Sequence, residues 1–266
     1  LRPVLVEPDI LTYNIDSQAV EKCITPKTVA MMLVHLYGQC CDMDPLLDIA
    51  KAHNLVVIED CAQAHGARYK DQLAGTFGHF GAFSFYPTKN LGALGDAGAI
   101  LCKSAQDADM LKLLRNYGSG IKYYNDVVGY NSRLDELQAA FLSIKLNYLN
   151  EINQHKRDLA DIYFQHLNPA YILPTRHKDY WNVYHIFNIR HTERDRLKSY
   201  LTENGIGTEI HYPEPPHKQK ALKELFKEDA FPISEQIHQT TLSLPCSYAH
   251  TTEDIYKVVE VINRFR

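Results

Sequence analysis

The stretch SFYPTKNLGALGDAG, residues 84–98, places one lysine, Lys89, among aromatic, proline and glycine residues. Lysine is among the residues least often buried, so a lysine after an apolar run suits an exposed loop. The glycines at 92, 95 and 98 would instead let the backbone approach a bulky group closely. Taken alone, the stretch leaves both interpretations open: a surface lysine, and a lysine held at a site.

Apolar runs and helical patterns alternate through the first half of the chain. Continuous apolar runs joined by helices are typical of a mostly parallel sheet that is covered on both faces. The predicted strands lie at 3–7, 29–38, 55–60, 81–85 and 97–103, and the helices between the first three lie at 16–24 and 42–54. The first half is therefore predicted to be a large α/β domain.

The pattern changes after residue 130. Residues 131–149 place Leu134, Leu137, Phe141, Ile144 and Tyr148 on one helical face, and Ser132 with Asp135 resembles a capping box. A second amphipathic stretch and a smaller α+β pattern follow. Their helices are predicted at 151–167, 193–205 and 253–265, and their strands at 183–190 and 206–212. We expect a large domain over 1–147 and a linking helix with a small domain over 148–266.

Composition excludes several classes of protein. The 266 residues are 45% hydrophobic and 23% charged with a net charge of −4, which is unlike a basic nucleic-acid binder. No apolar run is long enough to span a bilayer. The six cysteines form no C-x-x-C pair, and no His/Cys/carboxylate cluster has metal spacing, so we expect a cytoplasmic protein without a metal.

A second polar residue completes the interpretation of Lys89. Asp60 ends the run VVIED, and ligands of parallel sheets bind beyond the carboxyl ends of the strands. Asp60 alone could equally cap a following helix. With Lys89 beside it, however, the pair meets the needs of pyridoxal phosphate. A lysine amine forms a Schiff base with the cofactor's aldehyde, and a carboxylate keeps the pyridine nitrogen protonated.

Motifs along nearly the whole chain then indicate a family. They are PVLVEPDILTYNID (3–16), VHLYGQCCDMD (34–44), VIEDCAQAHGA (57–67), SFYPTKNLGALGDAGA (84–99), RNYGS (115–119), GYNSRLDELQAA (129–140), IHYPEPPH (210–217) and LSLP (242–245). In these motifs the chain resembles the DegT/DnrJ/EryC1/StrS family of nucleotide-sugar aminotransferases, which have the fold of type I pyridoxal-phosphate-dependent transferases. The family's N-terminal part, with its Gly-Thr helix start, has no match here, so we expect that sequence before Leu1 is missing.

The resemblance implies a role for each matching residue. Lys89 would be the catalytic Schiff-base lysine, Asp60 would pair with the pyridine nitrogen, and Gln63 would lie against the phenolic oxygen. Ser84 would bind the phosphate, and Asn131 would reach the phosphate in the partner's site of a homodimer. The candidate substrate contacts are Tyr86, His211 and Tyr212, and for His211 a purely structural role is an equal alternative.

The resemblance also implies a reaction. Glutamate would give its amino group to the cofactor, and a nucleotide-linked keto-sugar would then take it. The residues around Lys89 resemble those of members that aminate a 3-keto-6-deoxyhexose on thymidine diphosphate. Two alternatives stay open: an inactive or regulatory pyridoxal-phosphate-binding paralogue, and a sugar dehydratase. Lys89 argues against the second, because the dehydratases of this family carry histidine at that position.

Overall fold

The computed structural model describes residues 1–227 and 229–266. Its first lobe is α/β. The helices of this lobe are α1 (Ser17–Cys23), α2 (Met43–Ala52), α3 (Ala105–Arg115) and α4 (Glu136–Leu146). A linking helix, α5 (Leu149–His166), follows them and packs into the core of the second lobe. The strands of the first lobe are β1 (Ala30–Val34), β2 (Val56–Asp60), β3 (Arg68–Tyr69), β4 (Gln72–Leu73), β5 (Phe80–Ser84), β6 (Gly98–Cys102), β7 (Ser119–Ile121) and β8 (Tyr124–Asn125).

The second lobe is α+β. It contains β9 (Tyr180–Trp181), β10 (Phe187–Arg190), α6 (Arg194–Glu203), α7 (Pro232–Thr240), β11 (Thr241–Leu244) and α8 (Thr252–Ile262). Two short 3-10 helices lie at Leu36–Gly38 and Pro216–Lys218. None of the helices in the described ranges has both the length and the apolar character needed to cross a membrane.

The main sheet confirms the prediction of a mostly parallel α/β fold. Its order is β1-β2-β5-β6, with β1, β2 and β5 parallel and β6 antiparallel to β5. One face, with Leu33, Val57 and Glu59, packs into the core against α2. The other face is open, and Met32 on it is 63% exposed.

Two predicted strands are wrong. Residues 3–7 join no sheet, and the nearest pairing is an isolated bridge between Pro8 and Ile15. Residues 206–212 likewise contribute only the bridge between Glu209 and Ser243. Both segments carry the apolar residues of a strand, but the pairing found at or beside each is a single bridge, and no ladder extends from it.

The start of α4 also differs from the prediction. The helix is capped by Asp135 with no side-chain hydrogen bond, so the predicted Ser132–Asp135 capping box does not form. Its predicted apolar face lies largely in solvent, since Leu137 is 67% and Ile144 is 60% exposed. Leu142, outside the predicted set, is the residue of α4 that packs into the core.

Candidate active site

The lysine loop, residues 85–97, connects β5 to β6 and carries Lys89. A turn bond from Lys89 N to the Tyr86 carbonyl oxygen (2.9 Å) shapes it. Gly92 allows its tight packing, because a Cβ there would lie only 2.8 Å from the carbonyl carbon of Pro87. Gly92 was expected to let the backbone approach a bulky group closely, and what lies close to it is the backbone of the protein itself.

Two side chains of α4 hold the same loop from outside. Lys145 donates from Nζ to the Gly92 carbonyl oxygen. Gln138 accepts at Oε1 from the Leu94 N–H (2.8 Å). The loop is therefore fixed to a helix on one side, and Lys89 is held half-buried rather than free in solvent.

Asp60 and Ser84 share the open face of the sheet. Asp60 pairs in register with Ala82 of β5, and Ser84 follows Ala82 by two residues, so all three side chains point to the same side. The Asp60 carboxylate accepts from Ala62 N (3.0 Å), and Ser84 Oγ accepts from Tyr86 N (3.3 Å). Both side chains keep further bonding capacity.

The carboxylate of Asp60 acts on the charge of Lys89. Burial lowers the pKa of Lys89, and the carboxylate of Asp60 opposes that shift. The structure therefore brings together the two groups that the sequence singled out. Because the pKa is lowered, more of the Lys89 amine is unprotonated and nucleophilic near neutral pH.

Gln63 connects this site to the second lobe. Its Oε1 accepts from Tyr37 N (2.6 Å), and its Nε2 donates to Tyr212 Oη (3.1 Å). Tyr37 Oη in turn donates to the carbonyl oxygen of His211. Gln63 is buried, so these bonds fix the segment at 211–212 over the loop that follows β2.

His211 is half-buried within this arrangement. Its Nδ1 lies 2.8 Å from Ser243 Oγ. Burial lowers the pKa of His211, and the charge of Lys89 adds to that effect while Glu209 opposes it. His211 and Lys89 therefore belong to one cleft, with a neutral imidazole beside the amine.

Asn131 and Tyr86 lie at the edge of this arrangement. Asn131 is exposed and pairs through its backbone with Asn116. In the described part of the chain it makes no side-chain hydrogen bond to the other predicted site residues. Tyr86 beside Lys89 is 50% exposed. Within one chain the site is thus built from Asp60, Gln63, Ser84, Lys89, His211 and Tyr212.

The sequence of this chain matches one family model over residues 1–263. The chain belongs to the DegT/DnrJ/EryC1/StrS aminotransferase family. Aminotransferases of this family depend on pyridoxal phosphate, which confirms the predicted fold class, enzyme class and cofactor.

Individual relatives are similar over nearly the whole chain. A dTDP-3-amino-3,6-dideoxy-alpha-D-galactopyranose transaminase of Aneurinibacillus thermoaerophilus is 55% identical over 99% of this chain and 72% of its own length. The crystal structure of S. venezuelae DesV in complex with a ketimine intermediate is 42% identical with a TM-score of 0.95, over 98% of this chain and 71% of that one. NtdA from Bacillus subtilis with bound cofactor PMP is 30% identical with a TM-score of 0.89, over 98% and 61%.

The residues of this site fit the family's cofactor. A carboxylate, an amine of lowered pKa and a hydroxyl group with spare bonding capacity meet at one side of the sheet. These groups suit the pyridine nitrogen, the aldehyde and the phosphate of pyridoxal phosphate, respectively. The fit rests on Asp60, Lys89 and Ser84.

A buried network beneath the site had no signal in the sequence. The ligand atoms of His35, Glu59 and Cys61 lie within 4.8 Å of one another, although His35 is 24 residues from Glu59. Glu59 accepts from His35 Nε2 (2.8 Å) and from three backbone N–H groups of the 75–78 turn. His35 Nδ1 accepts from Cys41 N (3.0 Å). The ring nitrogens of His35 and the carboxylate oxygens of Glu59 are already used in hydrogen bonds, so these two side chains support the strand ends.

Proposed function

We propose that the chain transfers an amino group from glutamate to a dTDP-linked 3-keto-6-deoxyhexose. The family supplies the reaction type, and the substrate follows the name of the relative from Aneurinibacillus thermoaerophilus, a dTDP-3-amino-3,6-dideoxy-galactopyranose transaminase. The observation that carries the proposal is the placement of Asp60 at the end of β2 and of Lys89 in the loop after β5, two neighbouring parallel strands. It provides a lysine of lowered pKa beside a carboxylate at the carboxyl ends of parallel strands.

Each site residue then has a task. Pyridoxal phosphate, when bound, would supply an aldehyde that carries the amino group and a ring that accepts electrons. Asp60 would hold a proton on the ring nitrogen, Gln63 would contact the phenolic oxygen, and Ser84 would donate to the phosphate. In each half of the reaction, Lys89 Nζ would move a proton between the substrate carbon and the C4′ atom of the cofactor, acting first as a base and then as an acid.

Burial of Lys89 supports its role as a base. The lowered pKa means that Nζ loses its proton at a lower pH than an exposed lysine does. The carboxylate of Asp60 limits this effect, so Nζ can also hold a proton when it acts as the acid. Tyr86, His211 and Tyr212 are the residues that we assign to the sugar, because they border the cleft beside Lys89.

We infer that the chain works as a homodimer with shared sites, in which Asn131 reaches the partner's phosphate site. The loop before Asn131 exposes several large apolar side chains, and so do α4 and the turn after it. They are Tyr117, Ile121, Tyr123, Tyr124, Val128, Tyr130, Leu137, Ile144, Leu146 and Tyr148. A patch of this kind suits an interface, and two-fold pairing is the commonest closed arrangement.

Mixing inactive variants tests the shared site. Lys89→Ala and Asn131→Ala chains are each expected to be inactive, and a hybrid dimer should contain one intact site. Activity of the mixture above that of either parent supports the arrangement. Hybrids that form without recovering activity would mean that each site is built from one chain.

Two further assignments belong to the proposal. The boundary between residues 147 and 148 is supported by α5, whose Leu159 and Tyr163 pack into the core of the second lobe. A cytoplasmic location is supported by the cysteines, since all six, each in the described ranges, are free of disulfide bonds.

Half-reactions test the activity itself. The loaded protein is mixed with glutamate and its absorbance is followed, and a panel of keto-sugar nucleotides is then offered to the aminated form. We expect glutamate to change the spectrum and the dTDP-3-keto-6-deoxyhexose to reverse the change. Cofactor binding without any response to amino donors would favour the regulatory paralogue. If glutamate changes the spectrum and only another keto-sugar nucleotide reverses the change, the proposed substrate is wrong.

A further inference from the structure

One buried amide joins the two segments that carry the candidate site. Asn153, near the start of α5, donates from Nδ2 to the carbonyl oxygen of His65 (2.8 Å), in the turn that follows Asp60. Its Oδ1 accepts from Nδ2 of Asn90 (2.8 Å), the residue directly after Lys89 in the lysine loop. A single side chain therefore connects the Asp60 end of the site to its Lys89 end.

Backbone carbonyl groups fix the orientation of both amides. A carbonyl oxygen can only accept, so the NH2 group of Asn153 must face His65. Asn90 also donates from Nδ2 to the carbonyl oxygen of Val183 (3.0 Å), which orients its amide in the same way. Both asparagines are buried, and a buried polar group that loses its partner is costly. The bond between the two amides thus has a fixed direction and a reason to stay formed.

The backbone beside His65 leaves room for this amide. Gly66 has a φ of +79°, in the left-handed region that glycine adopts without strain. A Cβ at Gly66 would lie 2.9 Å from Asn153 Nδ2. Any larger residue there would push the amide away from its acceptor, so the turn is shaped to receive Asn153.

The same two segments also touch through rings. The ring centroid of His65 lies 5.6 Å from that of Phe83 and 5.7 Å from that of Phe85, the first residue of the lysine loop. Apolar contact is non-directional, so packing of this kind holds the loop near the turn without fixing its position along it. The hydrogen bonds of Asn153 supply that position.

We propose that Asn153 is a positioning residue for Lys89, and that through Asn90 it holds the backbone of Lys89 in place against the turn after Asp60. The proposal rests on the proposed function, in which Lys89 and Asp60 act on one cofactor. The bonds from α4 reach the same loop only at residues 92 and 94. Asn153 instead reaches the residue next to Lys89, although it does not touch the reacting atoms itself.

The pKa of Lys89 in cofactor-free protein tests the positioning. The rate of acylation of Lys89 is measured against pH by peptide mass spectrometry in Asn153→Ala, Asn90→Ala and the double variant. Burial lowers the pKa of Lys89 by more than Asp60 raises it, so release of the loop should raise that pKa toward the ordinary value of about 10.4. The double variant should shift little further than either single variant, because both singles remove the same bond.

Asn263→Ala is the matched control. This asparagine also donates from Nδ2 to a carbonyl oxygen, that of His166 (2.8 Å), and accepts at Oδ1 from Asn168 N (2.9 Å). Its contacts lie at the other end of α5, about 20 Å along the helix from Asn153. Asn263→Ala should lower the melting temperature and leave the pKa of Lys89 unchanged.

The kinetics of the loaded protein give a second measurement. A misplacement of about 1 Å at a reacting group lowers turnover on the order of 100-fold. Asn153→Ala should therefore lose kcat and kcat/KM together, with little change in the KM for glutamate. Asn263→Ala should keep both constants, and a normal kcat in a folded Asn153→Ala protein would overturn the proposal.

The outcomes separate this proposal from the assigned activity. An unchanged Lys89 pKa in folded Asn153→Ala would refute the positioning role, and so would an equal shift in Asn263→Ala, which would indicate general loosening. If Asn153→Ala does not fold, Asn90→Ala decides by the same measurement. Acylation uses neither cofactor nor substrate, so failure to find transamination would refute the proposed function and leave the acylation result standing.

Discussion

Replacing Gly92 with alanine tests how tightly the lysine loop must pack. A Cβ at this position would lie 2.8 Å from the Pro87 carbonyl carbon and 3.0 Å from its Cα, and closer still to the carbonyl oxygen. Carbon atoms in contact normally lie about 3.5 to 4.0 Å apart. The loop would therefore have to open by about 1 Å, and it cannot do so by turning a side chain, because the obstructing atoms are backbone.

The expected cost follows from this displacement. Overpacking of this kind destabilises by about 1–3 kcal/mol. Lys89 lies within the displaced turn, and a misplacement of about 1 Å at a reacting group lowers turnover on the order of 100-fold. We therefore expect Gly92→Ala to unfold at a lower temperature, by roughly 2–12 °C, and to lose most of its turnover.

Gly95→Ala is the matched control. A Cβ there would meet only the flexible end of Gln138, 3.2 Å away at Nε2. Thermal melts and steady-state rates of transamination are measured for both variants. Gly95→Ala should stay within about 0.5 kcal/mol of the unaltered protein. A Gly92→Ala protein with normal melting and normal rate would refute the account of the loop.

Three more predictions concern residues at and just after the end of β2: Asp60, Glu59 and His65. Asp60→Asn should melt normally, yet its rate of the glutamate half-reaction should fall on the order of 100-fold, since an amide cannot hold a ring proton by charge. Stopped-flow absorbance measures this rate, and a near-normal value would rule out the role of Asp60 at the ring nitrogen. Glu59→Ala should destabilise by about 3–5 kcal/mol in urea unfolding, because it leaves buried donors without their acceptor. Burial lowers the pKa of His65 to about 4, below its unfolded value of 6.5. The neutral ring therefore contributes its full stability above pH 6.5, and this contribution is lost as the pH falls toward 4. His65→Leu should flatten unfolding free energy against pH in that window, and an unchanged slope would contradict the assignment.

The sheet and the site differ in how far sequence could predict them. The runs around Leu33 and Val57 predicted strands correctly, because continuous apolar strands with helices between them leave little choice of fold. The run at 3–7 has similar composition but no strand beside it, and pairing cannot be read from one segment alone. Lys89 and Asp60 could also be identified from the sequence as candidate residues to compare, because both stand at the end of an apolar run or just after one and both lie in family motifs.

Other parts of the site had no local signal. His35 and Glu59 lie 24 residues apart, and the hydrogen bonds that join Glu59 to His35 and to the 75–78 turn form only in the folded chain. The sequence predicted an apolar face on α4, and in the single chain this face is largely exposed. A helical pattern shows that a face is apolar, but it does not show whether the same chain or a partner covers it.

The covalent link to Lys89 is the most direct test of the account. The cofactor-loaded protein is reduced with borohydride, digested and mapped by mass spectrometry. We predict one pyridoxyl mass on the peptide that contains Lys89 and none in Lys89→Ala. A label on a different lysine, or bound cofactor that borohydride cannot attach to Lys89, would contradict the central assignment.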